Sequence, residues 1–316
     1  MAHAKPRMTV IDTDPGIDDA IGILLALASP EFNIVGITTV AGNISIETTT
    51  RNACRLLAFA GREDIPVFQG AAAPLDRAGP EPLGLHGEDG IGAVALPDPM
   101  RPHETQHAVE WLASFLLDQP VGSVDVLALG PLTNLARLVL EKPEAARRIG
   151  RIVAMGGAIH EHGNVGPRSE FNLWADPEAA AVILGSGVPL VLVPLDVTRR
   201  VRATRELASR LLNSGQPKAQ MVAHLVQAYF TSPTAQDSRP LHDPCVMLFA
   251  LSPELFQCED LELSVSVARD EKAGELAIMA EGKILVRVAM RVDAQAVLEL
   301  LTRQLTAPWE GYSGRG

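Results

Sequence analysis

Four carboxylates fall within eight residues in the segment Asp12-Thr13-Asp14-Pro15-Gly16-Ile17-Asp18-Asp19. Such a stretch repels itself unless a positive charge sits among the side chains. With no cysteine or histidine in the group, the chemistry it suits is that of a hard, oxygen-preferring cation, calcium or magnesium. Pro15-Gly16 supplies a sharp turn that lets the acids on either side of it converge on one point. The simpler reading is that Asp18 or Asp19 caps a helix predicted over 20–28. Capping does not need Asp12 or Asp14, so the metal reading prevails.

A parallel α/β sheet is what would position these acids. Apolar runs at 8–11, 33–40, 124–128, 152–155 and 190–193 read as strands. Amphipathic stretches at 20–28, 46–60, 104–117, 206–213 and 218–230 read as helices, the second closed by Gly61. The tail changes character. Residues 261–267, 276–279 and 284–292 read as antiparallel strands, followed by a helix from Ala294. The order predicts one domain over 1–316, a Rossmann-like, mostly parallel open sheet with helices on both faces and a small antiparallel extension.

In such a sheet the C-terminal strand ends face a common crevice. Read in turn they carry Asp12 to Asp19, Ala41-Gly42-Asn43, Leu129-Gly130-Pro131, Met155-Gly156-Gly157 and Asp196. Two irregular stretches, 69–102 and 156–174, add His86-Gly87-Glu88-Asp89, Gly163-Asn164 and Glu170-Phe171-Asn172; long loops in compact domains are usually functional. His242-Asp243-Pro244 precedes a helix over 245–250, and Asp243 before proline is also the pattern of an N-cap. Carboxylates, carboxamides and histidine dominate, with almost no lysine or arginine. That population suits a neutral polyhydroxyl ligand around a metal and suits a phosphorylated one poorly.

Composition narrows the partners. Net charge is −11 over 316 residues, without a basic block, which argues against nucleic acid. Three dispersed cysteines (Cys54, Cys245, Cys258) without a CxxC pair fit reduced thiols in the cytoplasm. No signal peptide fits residues 1–8, and no apolar run approaches the ~20 residues of a membrane span.

Asp12-Thr13-Asp14-Pro15-Gly16-Ile17-Asp18-Asp19 resembles the N-terminal signature of the inosine-uridine-type nucleoside hydrolases. The likeness extends through Thr39-Val40-Ala41-Gly42-Asn43, His86-Gly87, Gly130-Pro131-Leu132-Thr133-Asn134 and Met155-Gly156-Gly157. It continues through Asn164 and Glu170-Phe171-Asn172 to His242-Asp243-Pro244. The resemblance implies a Ca²⁺-dependent enzyme that hydrolyses ribonucleosides to base and ribose, and a homodimer or homotetramer. It implies Asp14, Asp19, Asp243 and the Leu129 carbonyl as metal ligands. Asp18, Asn164, Glu170 and Asn172 would hold the ribose hydroxyls, with Asn43 and Met155 nearby and His86 toward the base. Asp14 would act as base on a calcium-held water and His242 as leaving-group acid. Broad-specificity members carry a tyrosine pair ahead of the His-Asp-Pro motif, of which Tyr229-Phe230 keeps only one. Purine-specific members carry a tryptophan near the position of His242 that is absent here. The resemblance then implies pyrimidine-leaning or broad specificity.

Two alternatives stay open at the level of sequence. A haloacid-dehalogenase-like phosphotransferase would use Asp12 as nucleophile, but it needs a lysine at a later strand end that has no good candidate here. A calcium-dependent nucleoside-binding protein without catalysis would need neither Asp14 as base nor His242 as acid.

Overall fold

The computed structural model describes residues 6–79, 89–230, 237–280 and 284–308. Strand β1 (Arg7–Thr13) is buried from Thr9 onward, as befits a central strand covered on both faces. Helix α1 (Ile17–Leu27) is buried along its whole length, which its nearly unbroken apolar sequence requires. The chain then moves outward through β2 (Phe32–Thr39), α2 (Ile46–Ala60) and β3 (Val67–Gln69). Gly61 ends α2 in the left-handed conformation, φ +64°, where a side chain would be strained.

After α3 (Ala108–Asp118) the chain returns to the centre of the sheet. There β4 (Val124–Ala128) pairs with the other side of β1, followed by α4 (Thr133–Glu141), α5 (Pro143–Ala146) and β5 (Ile149–Met155). Next come α6 (Phe171–Ala175), α7 (Pro177–Gly185), β6 (Leu190–Val193) and the short α8 (Leu195–Thr198). A two-stranded ribbon of β7 (Arg202–Thr204) and β8 (Ser238–Pro240) brackets α9 (Arg205–Asn213) and α10 (Pro217–Tyr229). The C-terminal part supplies α11 (Pro244–Leu251), β9 (Phe256–Leu261), β10 (Leu263–Val265), β11 (Leu276–Ile278), β12 (Val286–Val292) and α12 (Ala294–Thr306).

The main sheet has eight strands in the order β3-β2-β1-β4-β5-β6-β12-β9, all parallel except β9. The mostly parallel architecture expected from sequence is therefore present. One apolar core lies between the sheet and α1, α2, α10, α11 and α12; the other lies under α3, α4, α5 and α7. The order reverses between β1 and β4, and the crevice outside the strand ends at such a switch point is where ligands bind in open α/β sheets.

Several elements differ from the sequence reading. Helix α1 begins at Ile17, not at 20, so neither Asp18 nor Asp19 is the N-cap; Gly16 is, and Asp19 reaches back from N3 to its N–H. Helix α3 begins at Ala108, capped by His107, because Glu104 bridges to Phe68 as a short extension of the sheet. Strand β12, expected in the antiparallel extension, joins the main sheet parallel to β6, and the unforeseen β9 covers its outer edge. The separate antiparallel piece is β10 with β11. Ribbon β7–β8 was also unforeseen, since neither three-residue strand has room for a period.

Candidate functional site

The switch point opens into a cavity of about 250 Å³. Its wall includes Asp18, Asn43, Leu129, Met155, Asn164, Glu170, Asn172, His242 and Asp243, drawn from four strand ends and two loops. Asp14 and Asp19 lie just beneath the floor, buried and joined to it through Asn43. The Asn43 N–H donates to Asp14 Oδ2 at 2.7 Å, and its amide donates to the Asp14 carbonyl and to Asp19 Oδ2.

The turn after β1 is organised around Asp19. Its Oδ1 accepts from the Thr13 hydroxyl at 2.6 Å and the Asp14 N–H at 3.2 Å, while Oδ2 accepts from the Gly16 N–H. The Asp14 carboxylate is held between two glycines: a Cβ at Gly42 would run into its Oδ2, and one at Gly130 into its Oδ1. The Gly42 and Gly130-Pro131 motifs thus clear the space that this carboxylate occupies.

Acidic groups are concentrated here. Burial is the main cause that pushes Asp14 and Asp243 well above the ordinary carboxylate range, and neighbouring acids push them further. Asp18 is pushed up to about 7, chiefly by burial, although the backbone N–H groups of Asp243 and His242 favour its charged form. Asp19 stands within hydrogen-bonding reach of both Asp14 and Asp243. Carboxylates that close need a proton or a cation between them. Among the described residues no three acids, histidines or cysteines are drawn together as a closed ligand cluster. The donor set of buried carboxylates beside the Leu129 carbonyl, with nothing soft in it, nevertheless fits a hard divalent cation.

The remaining walls are braced by backbone contacts. Glu170 caps α6: Oε1 accepts from the Asn172 N–H at 2.9 Å, and Oε2 from Gly157 at 3.0 Å and Leu173 at 3.2 Å. The Asn172 amide donates to the carbonyls of Leu129 at 2.6 Å and Met155 at 3.2 Å, tying β4 to β5. Asn164 Oδ1 accepts from the Phe171 N–H, which leaves its amide group for the cavity. Asp18 Oδ2 accepts from the backbone of both His242 and Asp243, at 2.6 and 3.2 Å. Its Oδ1 is buried with no hydrogen-bond partner among the described residues, and Tyr229 faces the same carboxylate. Asp243 precedes Pro244 at the start of α11, but its side chain makes no cap hydrogen bond.

Helix α8 serves this wall from behind. Asp196, placed in the crevice by the sequence reading, does not line the cavity; its carboxylate accepts from the N–H groups of Ile159, His160 and Glu161. Arg199 donates to the carbonyls of His162 and Gly163 and to Glu161. These bonds clamp the loop that carries Asn164. Thr198 contacts His242 Nδ1 at 2.7 Å.

Comparison with known proteins places the chain in a family. Residues 9–299 match the family described as inosine-uridine preferring nucleoside hydrolase. The chain belongs to that family. It is similar to the pyrimidine-specific ribonucleoside hydrolase RihA of Citrobacter koseri, 38% identical over 94% of this chain and 97% of the relative. Among solved structures it is similar to the plant nucleoside hydrolase PpNRh1, with 34% identity and a TM-score of 0.88 over 96% of this chain and 100% of that one. It also resembles a purine-preferring ribonucleoside hydrolase from Gardnerella vaginalis, with 28% identity and a TM-score of 0.88 over 95% and 98% of the two chains.

Within this nucleoside hydrolase the phosphotransferase alternative fails. Asp12 is fully buried away from the cavity, and its Oδ1 accepts from Thr38 and from Asn134, whose amide also reaches the Thr39 carbonyl. Among the described residues the cavity lining holds a single arginine, Arg239 on β8, together with Tyr229, Phe171 and Pro240. Arg239 carried no signal in the sequence because β8 went unrecognised. Tyr229 ends α10 four residues after Leu225, at helical spacing, and reads as core until its hydroxyl is seen facing Asp18. His86 lies outside the described residues.

Proposed function

We propose that this protein hydrolyses the N-glycosidic bond of ribonucleosides to free base and ribose, as a single domain over 1–316 that binds Ca²⁺. The observation that carries this reading is the convergence of buried acids beneath a cavity walled by Asp18, Asn43, Asn164, Glu170, Asn172 and His242. Asp14, Asp19, Asp243 and the Leu129 carbonyl would hold the ion. When bound, it supplies the positive charge that orients the 2′- and 3′-hydroxyls and a water near C1′.

The chain's own groups do the rest. Asp18 Oδ1, buried and with no hydrogen-bond partner among the described residues, would accept from a ribose hydroxyl. Asn164, Glu170 and Asn172 surround the sugar, with Asn43 and Met155 beside it, and a ring of oxygens favours the positive charge of an oxocarbenium-like transition state. Asp14 takes the proton as water oxygen bonds to C1′. The C1′–N bond breaks with its electron pair moving to the base, and His242 gives the base a proton. In this reading His86 lies toward the base.

Specificity is pyrimidine-leaning or broad. A 38%-identical relative named as pyrimidine-specific supports this, while a purine-preferring structural neighbour at 28% identity keeps purines in the test. No helix among the described residues is long and apolar enough to cross a membrane. We infer a cytoplasmic homodimer or homotetramer without a nucleic-acid partner, which size-exclusion with light scattering would size.

Ribose release from inosine, adenosine, uridine and cytidine, measured with and without a calcium chelator, tests the reading. Release that the chelator suppresses is expected. No release from any of the four with calcium present would overturn it in favour of a binding protein.

A further inference from the structure

We propose that Asn134 is the positioning residue for Asp14: its amide ties together the two glycine turns, at Gly42 and at Gly130, that grip the Asp14 carboxylate at its two oxygens. The inference rests on the reading of Asp14 as ion ligand and base, and adds what sets the width of the slot in which that carboxylate stands.

The two turns come from different strands. Gly42 follows β2 and stands against Asp14 Oδ2, and Gly130 follows β4 and stands against Oδ1. They also meet each other, since a Cβ at Gly42 would press on Pro131. Asn134 belongs to the second turn by chain connection, at the start of α4 and four residues after Gly130. Its side chain reaches the first. Nδ2 donates to the carbonyl of Thr39, the last residue of β2, at 2.9 Å, and Oδ1 accepts from the Ala71 N–H at 2.9 Å. The Ala71 carbonyl in turn accepts from the N–H of Ala41, one residue before Gly42. Nδ2 also donates to Asp12 Oδ1 at 2.8 Å, on the strand that leads into Asp14. One buried side chain thus holds the ends of β1 and β2 and the segment after β3.

A carboxamide is what these partners demand. Its nitrogen has two protons, one for a carboxylate and one for a carbonyl, and its oxygen accepts the N–H. A carboxylate in its place would lose both donated bonds and face Asp12 with like charge. The space is matched as well: a Cβ at Gly70 would run into the Asn134 amide, so Gly70 clears room for Asn134 as Gly42 and Gly130 do for Asp14. The neighbouring Thr133 serves another purpose. Its hydroxyl donates to Asp176, at the start of α7, at 2.6 Å, a bond that reaches neither Gly42 nor Asp14.

The test separates positioning from stability. Calcium affinity by calorimetric titration, Tm, and kcat and KM at saturating calcium for the nucleoside turned over fastest are measured in the wild-type protein, Asn134→Asp, Gly70→Ala and Thr133→Val. Asn134→Asp keeps the shape and loses both donated bonds, whereas Gly70→Ala keeps the amide and displaces it. A reacting group misplaced by about 1 Å costs roughly 10²-fold. Both variants are therefore expected to lower kcat about 10- to 100-fold and to weaken calcium several-fold. KM should stay within about 3-fold, because Asn164, Glu170 and Asn172 are not moved. Thr133→Val is expected to lower Tm and to keep kcat and calcium affinity within about 3-fold of wild type. Unaltered kcat and calcium affinity in Asn134→Asp, or an equal loss of kcat in Thr133→Val, overturns the role of Asn134. A wild-type protein that binds no calcium and releases no ribose overturns the underlying reading of Asp14 instead. Should neither slot variant fold, amide exchange in the wild-type protein decides: calcium is expected to slow exchange at Ala71 together with Asn43, and an unchanged rate at Ala71 overturns the proposal.

Discussion

Asp14 is the residue whose surroundings are most tightly specified. Its carboxylate fits only because Gly42 and Gly130 lack a Cβ, and the Asn43 N–H fixes one of its oxygens. Gly130→Ala must therefore displace the acid or the strand end. We expect it to lower kcat by at least about 10²-fold, because small misplacements of a reacting group carry penalties of that order. Steady-state kinetics with calorimetric titration of calcium would check this, and wild-type affinity for both ion and nucleoside would contradict it. Glu170 poses a separable question, since both its oxygens accept backbone N–H bonds while it faces the cavity. Glu170→Gln keeps the shape but replaces one acceptor with a donor, which we expect to cost about 1 kcal/mol in stability as a weakened cap. It should also raise KM for nucleosides while leaving inhibition by free base unaltered. Equal weakening of both would place Glu170 outside the ribose site.

At the scale of elements, much of the site was legible because the acids, amides and histidine sit at strand ends, where chain order alone assigns a common face. The spans of α2, β4 and β6 match their sequence patterns residue for residue. What escaped had physical causes. Helix α1 starts three residues early because Asp19 reaches back to the Gly16 N–H, a capping contact invisible to hydrophobic period. Strand β12 is antiparallel to β9, as expected of the tail, but its other, parallel partner β6 lies nearly a hundred residues away, beyond the reach of local pattern. Asp196 followed the right signal, an acid after a strand, to the wrong role: it binds three backbone N–H groups and positions a loop. Asp196→Asn would retain one acceptor oxygen for those three donors. We expect faster amide exchange at 159–161 and a several-fold lower kcat/KM, with calcium affinity preserved because no proposed ligand is touched. Unchanged exchange in that loop would show that Arg199 alone suffices to clamp it.

For the whole molecule, the switch point between β1 and β4 gathers several acids into the interior of a chain already at −11. Folding without a counterion therefore works against solvation and against mutual repulsion. The pH dependence follows from the direction of the shifts. In the unfolded chain these aspartates ionise near pH 4, whereas burial raises Asp18 to about 7 and lifts Asp14 and Asp243 well above their usual range. Below pH 4 both states are protonated and no penalty arises. As pH climbs past 4 the unfolded chain releases protons that the folded chain retains, so stability falls, and for Asp18 the loss is complete above pH 7. The metal-free protein should thus melt at a higher temperature at pH 5 than at pH 8, the reverse of ordinary acid denaturation. Calcium at 100 times its dissociation constant adds about 2.7 kcal/mol at either pH. Its affinity rises as the acids ionise, so at a fixed concentration the gain in Tm should be larger at pH 8, on the order of 5 °C. Melting curves of chelator-treated protein at both pH values, with and without added calcium, would check this. A calcium gain that is the same at pH 5 and pH 8 would mean that the ion does not replace protons on these carboxylates.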